Sequence, residues 1–414
     1  MGTVSFLREN AAWLAAGFLL TLSSSYGQTF FISVFAGEIR AEFGLSHGGW
    51  GAIYALGTLG SALTMLWAGT LADRFRVRDL AMIVLPCLAV ACLAMAAVPG
   101  VWALPVVIFA LRLMGQGMTI HIAVVAMARW FVATRGKALS VARLGVTLGE
   151  SLMPILFVAL LTIFGWRSLW VLAAGMALIV LPAVLVLLRQ ERVPSADAEA
   201  NSSLGMDARH WTRGEMLKNW LFWAMFPLIL GPPTFITVLF FHQVHLAEIK
   251  EVAHLSFVAL FPLYTAFSVG MMLIAGAALD RIGTARILPL MPLPIAIGFL
   301  CLGYADGIAE LAIGMVLIGT TSGAQFTVIG AFWAEFYGTR NLGAIKAVAT
   351  AIMVFGSAFG PALTGALIDF GLGLDRQLVM IGVFFLVTTA ITFFALRRAA
   401  KHLPATGEVN VIGA

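Results

Sequence analysis

Runs of about twenty apolar residues, the length a helix needs to cross a bilayer, recur from one end of this 414-residue chain to the other. They qualify at 11–36, 48–71, 79–98, 102–128, 138–163, 168–188, 219–243, 254–279, 286–304, 309–333, 343–368 and 376–397. Apolar residues make up 61% of the chain and charged residues 11%, whereas a water-soluble domain carries about 25% charge. Helices that satisfy their own backbone hydrogen bonds are what such runs can form in lipid. The pattern therefore predicts an all-α membrane protein with twelve transmembrane helices. The first run follows a single basic residue, Arg8, without a small-residue cleavage site, and reads as a first span, not a removed leader.

The basic residues orient these spans. Of 25 Lys and Arg, nineteen fall in one set of alternate loops and four in the other, namely Arg40, Arg167, Lys250 and Arg376. Arg112 and Arg143 fall inside spans. The bias places both termini in the cytoplasm. An integral protein of the bacterial cytoplasmic (inner) membrane is expected, in contact with lipid and with no nucleic-acid partner, because the cations form no stripe.

A short charged phrase then appears twice. Gly69-Thr-Leu-Ala-Asp73-Arg74-Phe-Arg76-Val-Arg78 and Gly276-Ala-Ala-Leu-Asp280-Arg281-Ile-Gly283 begin 207 residues apart, half the length of the chain. Trp130-Phe-Val-Ala-Thr-Arg135 and Phe336-Tyr-Gly-Thr-Arg340 end 205 apart. The chain thus reads as two pseudo-symmetric six-helix bundles, 1–189 and 218–400, joined by a polar linker at 190–217 and followed by a tail at 401–414. Thr212 and Glu215 have capping-box spacing, so a short helix is expected to lead into the seventh span.

These motifs resemble those of the major facilitator superfamily. The two charged phrases match its loop motif after the second and eighth helices, and Arg112-Leu-Met-Gly115-Gln-Gly117 matches its fourth-helix motif. Arg129-Trp-Phe, Arg135-Gly-Lys137-Ala and Gly356-x-x-x-Gly360-Pro361-x-x-x-Gly365-x-x-x-Asp369 look most like its monocarboxylate and oxalate-formate branch. The resemblance implies a monomeric secondary transporter of a small organic solute, by alternating access. It also implies a cytoplasmic gate at Asp73, Arg74, Arg78, Asp280 and Arg281, and a cavity lined by helices one, four, seven and ten. Carriers of that branch place a basic residue in the eighth helix, where this chain has no Lys or Arg.

Polar residues inside a bilayer are costly and mark substrate or ion pathways. The first span is interrupted at Ser23-Ser-Ser-Tyr26-Gly-Gln28-Thr29 and the seventh at Gly231-Pro-Pro-Thr234, 207 positions on. Matching interruptions point to a binding site. Tyr26, Gln28, Arg112, Gln116, His121, Thr234 and Gln325 are the substrate-binding candidates. Arg offers a planar fork for a carboxylate. His121 and Glu150 are the candidates for proton coupling, His121 because imidazole titrates near neutrality. Arg112 and Glu150 are close enough in depth to pair, and Arg143 lies two turns from Glu150 on the same face. Either pairing could instead be structural, and Arg143 could snorkel. His242 and His245 read as solvated rim residues.

Other functions find less support. No Gly-x-x-x-x-Gly-Lys-Ser/Thr loop is present to bind nucleotide phosphates. His47, His210, His242, His245, His254 and His402 form no ligand or catalytic pattern, and the three cysteines suit neither zinc nor a disulfide framework. No cofactor or metal is expected. A membrane enzyme or a sensor is disfavoured. A carboxylate carrier, which the branch motifs imply, competes with an exporter of amphipathic compounds.

Overall fold

The computed structural model describes residues 3–131, 134–189 and 204–403, apart from the side chains at 3, 4, 73, 135, 280 and 326. Among the described residues the chain is helical, without strands. The long helices are α1 (Ala11–Ser23), α2 (His47–Ala68), α3 (Val77–Ala96), α4 (Val101–Trp130), α5 (Arg135–Leu161) and α6 (Trp166–Leu187) in the first half. The second half has α7 (Trp220–Phe241), α8 (Phe261–Ile282), α9 (Thr284–Tyr304), α10 (Ile308–Tyr337), α11 (Leu342–Asp369) and α12 (Leu374–Ala399). Among the described residues eleven helices are long and apolar enough to cross a membrane. The segment after α1 does not form one such helix. It continues as a 3-10 turn at Ser24–Gly27, a helix at Thr29–Ile32, a second 3-10 turn at Ser33–Phe35 and a helix at Ala36–Phe43.

The duplication seen in the sequence recurs in the packing. Within the first half α1 packs on α5, α2 on α4 and α3 on α6; within the second α8 packs on α10 and α9 on α12. The remaining counterpart, α7 on α11, is drawn together by Gly356 and Gly360. A Cβ on Gly356 would lie 2.1 Å from the Thr234 hydroxyl, and one on Gly360 would lie 2.7 Å from the Thr234 methyl. Lipid removes the hydrophobic drive between helices, so close approach at small residues and interhelical hydrogen bonds carry the association. The chain divides into two compact units. One holds Met1–Glu199 with Phe240–His245 and Pro361–Asp369; the other holds Ala200–Leu239, Leu246–Gly360 and Phe370–Ala414.

Two corrections to the sequence reading concern prolines and cysteines. The break expected at Gly231-Pro-Pro-Thr234 does not form, because α7 runs unbroken through Pro227, Pro232 and Pro233. A membrane helix tolerates the missing N–H groups where hydroxyls and neighbouring helices support the backbone. Thr234 and Thr237 donate to the carbonyls of Leu230 and Pro233, both at 2.6 Å. Three apolar-run cysteines read from the sequence as small core residues; Cys92 is buried and Cys301 half-buried, but Cys87 lies at the surface. The capping box does form. Thr212 accepts from the Glu215 N–H and Glu215 accepts from the Thr212 N–H, starting the helix Arg213–Lys218. Before it, Trp211 donates from its N–H to the Tyr337 carbonyl, and Asn341 donates to the Trp211 carbonyl, so this part of the linker is tied to the end of α10. Residues 190–203 of the expected linker and the tail from 404 lie outside the described residues.

A basic side chain closes the end of the third helix of each half. Arg167 donates to the carbonyls of Ala96 (2.7 Å) and Val98 (3.0 Å), and Lys250 donates to those of Gly303 and Ala305 (both 2.8 Å). The acceptors are 207 residues apart, the spacing of the repeat, yet the two cations come from non-equivalent elements. Arg167 also pairs with Glu42 at 2.6 Å, and the Trp166 ring N–H donates to the same carboxylate at 2.8 Å. The hydrogen bond from Arg167, followed by that from Trp166, holds the Glu42 carboxyl below its usual range. A lowered carboxylate pKa stabilises the fold above the ordinary carboxylate range, and the contribution is lost as pH falls through the folded value. The pair is well exposed, so Glu42→Gln should cost less than about 1 kcal/mol. Arg167→Ala also strips two carbonyls of a charged donor and should cost about 2 kcal/mol. Thermal unfolding of the detergent-purified variants checks the order. Equal losses would contradict the capping role of Arg167.

Candidate functional site

The irregular stretch after α1 meets an irregular stretch of α4. Residues Arg112–Thr119 form a π-helix inside α4, a form common at functional sites. The two stretches touch backbone to backbone through glycines. A Cβ on Gly27 would lie 2.2 Å from the Leu111 carbonyl oxygen, and one on Gly115 would lie 2.6 Å from the Gly27 Cα. The chain after Gly27 is extended at Gln28, with φ −86° and ψ 153°, so the helical ladder is cut there.

Arg112 fills that cut. Its Nη1 donates to the Gly27 carbonyl at 3.1 Å and to the Thr29 hydroxyl at 3.4 Å. The Thr29 and Tyr54 hydroxyls are 2.5 Å apart, and the guanidinium lies over the Tyr54 ring, 5.4 Å from its centroid. Arg112 is 2% exposed, and its Nε has no hydrogen-bond partner among the described residues. Removing this side chain would leave a buried carbonyl unpaired, at a cost of about 1–3 kcal/mol. Gln28 and Gln116 are half-buried beside this junction, and Gln28 lies 3.5 Å from the Ser24 hydroxyl. Arg112, Gln28 and Gln116 thus lie on the two stretches that meet here. Thr29 and Tyr54 were missed as partners, because nothing in the run of α2 marks one tyrosine as facing α1 and α4.

Other candidates lie elsewhere. Tyr26 is buried and meets Phe31 edge-on at 5.4 Å, in a cluster that continues to Phe157, Trp170 and Phe35, so it is a packing residue. The expected Arg112–Glu150 pair does not form. Arg112 is committed to the cut in α1, and the charge acting on Glu150 is Arg143. Glu150 follows Gly149, where a Cβ would lie 1.9 Å from the Ser25 hydroxyl, so it sits on the turn of α5 that abuts the same break. Arg143 itself is exposed, at the start of the two turns that separate it from Glu150.

His121 belongs to the hinge instead of the break. Its Nε2 lies 3.0 Å from the carbonyl of Gly69, the first residue of the repeated charged phrase, and Arg129 donates to the carbonyl of Ala72 at 2.8 Å. The lower part of α4 therefore holds the hinge backbone at two points. Arg74, Arg78 and Arg281 are exposed, while the side chains of Asp73 and Asp280, central to the expected gate, lie outside the described residues. In the second unit Thr234 faces Gly356 and Gly360 of α11, and Gln325 of α10 is 6% exposed, its Nε2 without a hydrogen-bond partner among the described residues. Nearby on α10, Ser322 is bonded to the Tyr264 hydroxyl at 2.9 Å.

His242 and His245 are not the solvated rim residues expected. His242 is buried with its Nε2 3.3 Å from the Pro361 carbonyl, and His245 is half-buried against His47. Only a contact between distant segments reveals this, since the three histidines are far apart in the chain.

The glycine contact at the break is testable. Gly115→Ala should prevent the two backbones from meeting and so sharply reduce the yield of monodisperse protein on size exclusion. Gly136→Ala, where nothing lies within 4 Å of the added Cβ, should leave the yield unchanged. A Gly115→Ala protein with parental yield and thermal stability would contradict the junction.

Comparison with known proteins agrees with this architecture. The chain matches the Major Facilitator Superfamily over residues 17–308 and 260–411. No curated protein matches it. Among solved structures it is similar to a bacterial homologue of the human lysosomal transporter Spinster, in an inward-facing and unoccupied conformation. The TM-score is 0.72 at 16% identity, over 96% of this chain and 99% of that one. The occupied, inward-facing form of that protein aligns with a TM-score of 0.71, also at 16% identity, over 96% of this chain and 98% of the other. The nucleoside transporter NupG aligns with a TM-score of 0.69 at 15% identity, over 95% of this chain and 99% of that one. With eleven helices able to cross a membrane and a family match spanning most of its length, this chain is an integral membrane protein that belongs to the Major Facilitator Superfamily.

Proposed function

We propose that the protein is a secondary active transporter of a small organic solute, working by alternating access and driven by protons. The observation that carries this reading is the pair of unlike fastenings at the two ends of the first unit. At one end the hinge phrase is held by His121 and Arg129. At the other, segments Phe240–His245 and Pro361–Asp369 from the second half of the chain are clamped onto α2 and the helix Ala36–Phe43. Ends that can be fastened separately are what an alternating mechanism requires. The bias of Lys and Arg places the hinge, and both termini, on the cytoplasmic side. The clamped end then faces outward.

The committed bonds of Arg112 bear on the solute. A guanidinium that is nearly fully buried and holds the Gly27 carbonyl is a poor primary partner for a carboxylate. The eighth helix agrees, since α8 brings a single basic residue, Arg281, at its hinge end. The geometry therefore favours an uncharged or amphipathic solute held by hydroxyls, amides and aromatic faces over a monocarboxylate. Glu150, on the turn of α5 beside the break, is the proposed proton carrier, and His121 is reassigned to the hinge.

A ligand that binds the folded state raises its thermal stability by mass action. Purified protein screened against small carboxylates, nucleosides, sugars and amphipathic cations should be stabilised by uncharged or amphipathic compounds. Stabilisation by a carboxylate, lost in Arg112→Lys, would reverse the preference. With the stabilising solute in proteoliposomes, Glu150→Gln should abolish flux driven by a pH gradient and keep solute exchange without a gradient. Equal gradient-driven flux in the variant would rule out Glu150 as the proton carrier.

A further inference from the structure

Three histidines gather at the clamped end and take no part in the mechanism above. His47 opens α2, His242 follows the last residue of α7, and His245 lies in the short helix Gln243–Ile249. The ring centroids of His47 and His245 are 4.1 Å apart, and those of His47 and His242 are 6.2 Å apart. The cluster sits where the second-half segments join the first unit. Asp369, at the end of α11, accepts from the N–H groups of His47 (3.1 Å) and Gly48 (2.8 Å). His242 reaches the Pro361 carbonyl of the same helix.

Several further contacts of this seam are between neutral groups. The Ser33 hydroxyl donates to the Phe240 carbonyl at 2.7 Å, and Gln243 donates to the Phe30 carbonyl and the Ser33 hydroxyl, both at 3.0 Å. Trp50 stacks on Phe241. The histidines are the groups of the seam whose rings gain a charge when acid is added. The other charges on the packed elements are Glu38, Arg40 and Glu42 on Ala36–Phe43, with Glu42 paired to Arg167, Glu248 one turn after His245, and Asp369. His245, Arg40 and Asp369 are the groups whose charge acts on the buried side of His47. Asp369 is already engaged by two backbone N–H groups. The His47–His245 pair can hold one proton, since the second ring can remain neutral and accept. Two protons would place like charges in contact. Among the described residues no group of His, Cys, Asp and Glu is arranged to hold a metal ion, so the proton is the ligand the cluster fits.

We propose that His47, His242 and His245 form a proton-operated latch on the outward end. The seam holds while the His47–His245 pair carries at most one proton. It opens when acid protonates both rings and adds their charge to that of Arg40. This inference rests on the alternating-access reading, because it takes the seam as the outward gate.

Distance measurement between spin labels tests it without knowledge of the solute. In a variant carrying Cys87→Ala, Cys92→Ala and Cys301→Ala, labels are placed at Ala41→Cys and Ile249→Cys, both exposed, with the protein in lipid nanodiscs. On going from about pH 8 to about pH 4, past the ordinary imidazole range, the ratio of long to short distances should rise at least about tenfold, as repulsion at this separation allows. In His47→Gln/His245→Gln the short distance should persist at both pH values. Agreement of that variant with the parent at the higher pH shows that it is folded, and His245→Gln alone serves if it is not. An unchanged distance in the parent, or a shift that survives in the variant, overturns the latch. A second pair at the hinge end, Asp79→Cys and Arg286→Cys, separates the two ideas. Opening of the outer pair with no change at the hinge pair keeps the latch and removes alternating access.

Discussion

The break in the first helix sets the terms for the rest of the first unit. In lipid each backbone carbonyl left out of a helical ladder must find a donor in the protein. At Gly27 that donor is Arg112. The requirement explains several features together: the glycines Gly27 and Gly115 that let two backbones touch, the π-helix that gives α4 its changed register, and the burial of a cation near mid-helix. It also explains why Arg112 is not spent on Glu150. An arginine that completes the backbone of one helix from another makes the two move as one body, and a rigid half is what rocking motions require.

The duplication is more faithful in packing than in fastening. The three helix pairings of the first half have counterparts in the second, and Ser33 touches Phe240, its own repeat equivalent, 207 residues on. Contact between equivalent positions is expected where a two-fold axis passes. Yet the caps of the third and ninth helices come from Arg167 and Lys250, which are not equivalent. Ser46 caps the start of α2 and accepts from the Gly49 N–H at 3.0 Å, while Ala253 stands at the corresponding place before the helix His254–Val258 without a side-chain cap. Duplicated halves thus keep the common pairing of helices and differ in the contacts that hold their ends.

Much of this was legible in the sequence because lipid imposes simple rules. Length and apolarity gave the helices, the 207-residue spacing gave the repeat, and the serines and glutamine at 23–29 marked the broken span. Pro232 and Pro233 misled, because proline marks a break only where the surroundings cannot support the missing hydrogen bonds, and Thr234 and Thr237 help to support them here. Tyr26 misled for a related reason: a polar tip in a polar stretch did not show that the ring faces Phe31. The role of Tyr54 and the gathering of His47, His242 and His245 were hidden, since each depends on contact between segments far apart in the chain.

The central claim is that the clamped end must open during each transport cycle. A reversible cross-link across it tests this most directly. Gly37 faces Val244 there, with an added Cβ 3.3 Å from the Val244 Cγ1, within the reach of a disulfide. In Gly37→Cys/Val244→Cys, made in a background without the native cysteines, oxidation should stop the flux of the stabilising solute in proteoliposomes, and reduction should restore it. Undiminished flux through fully cross-linked protein would contradict the account.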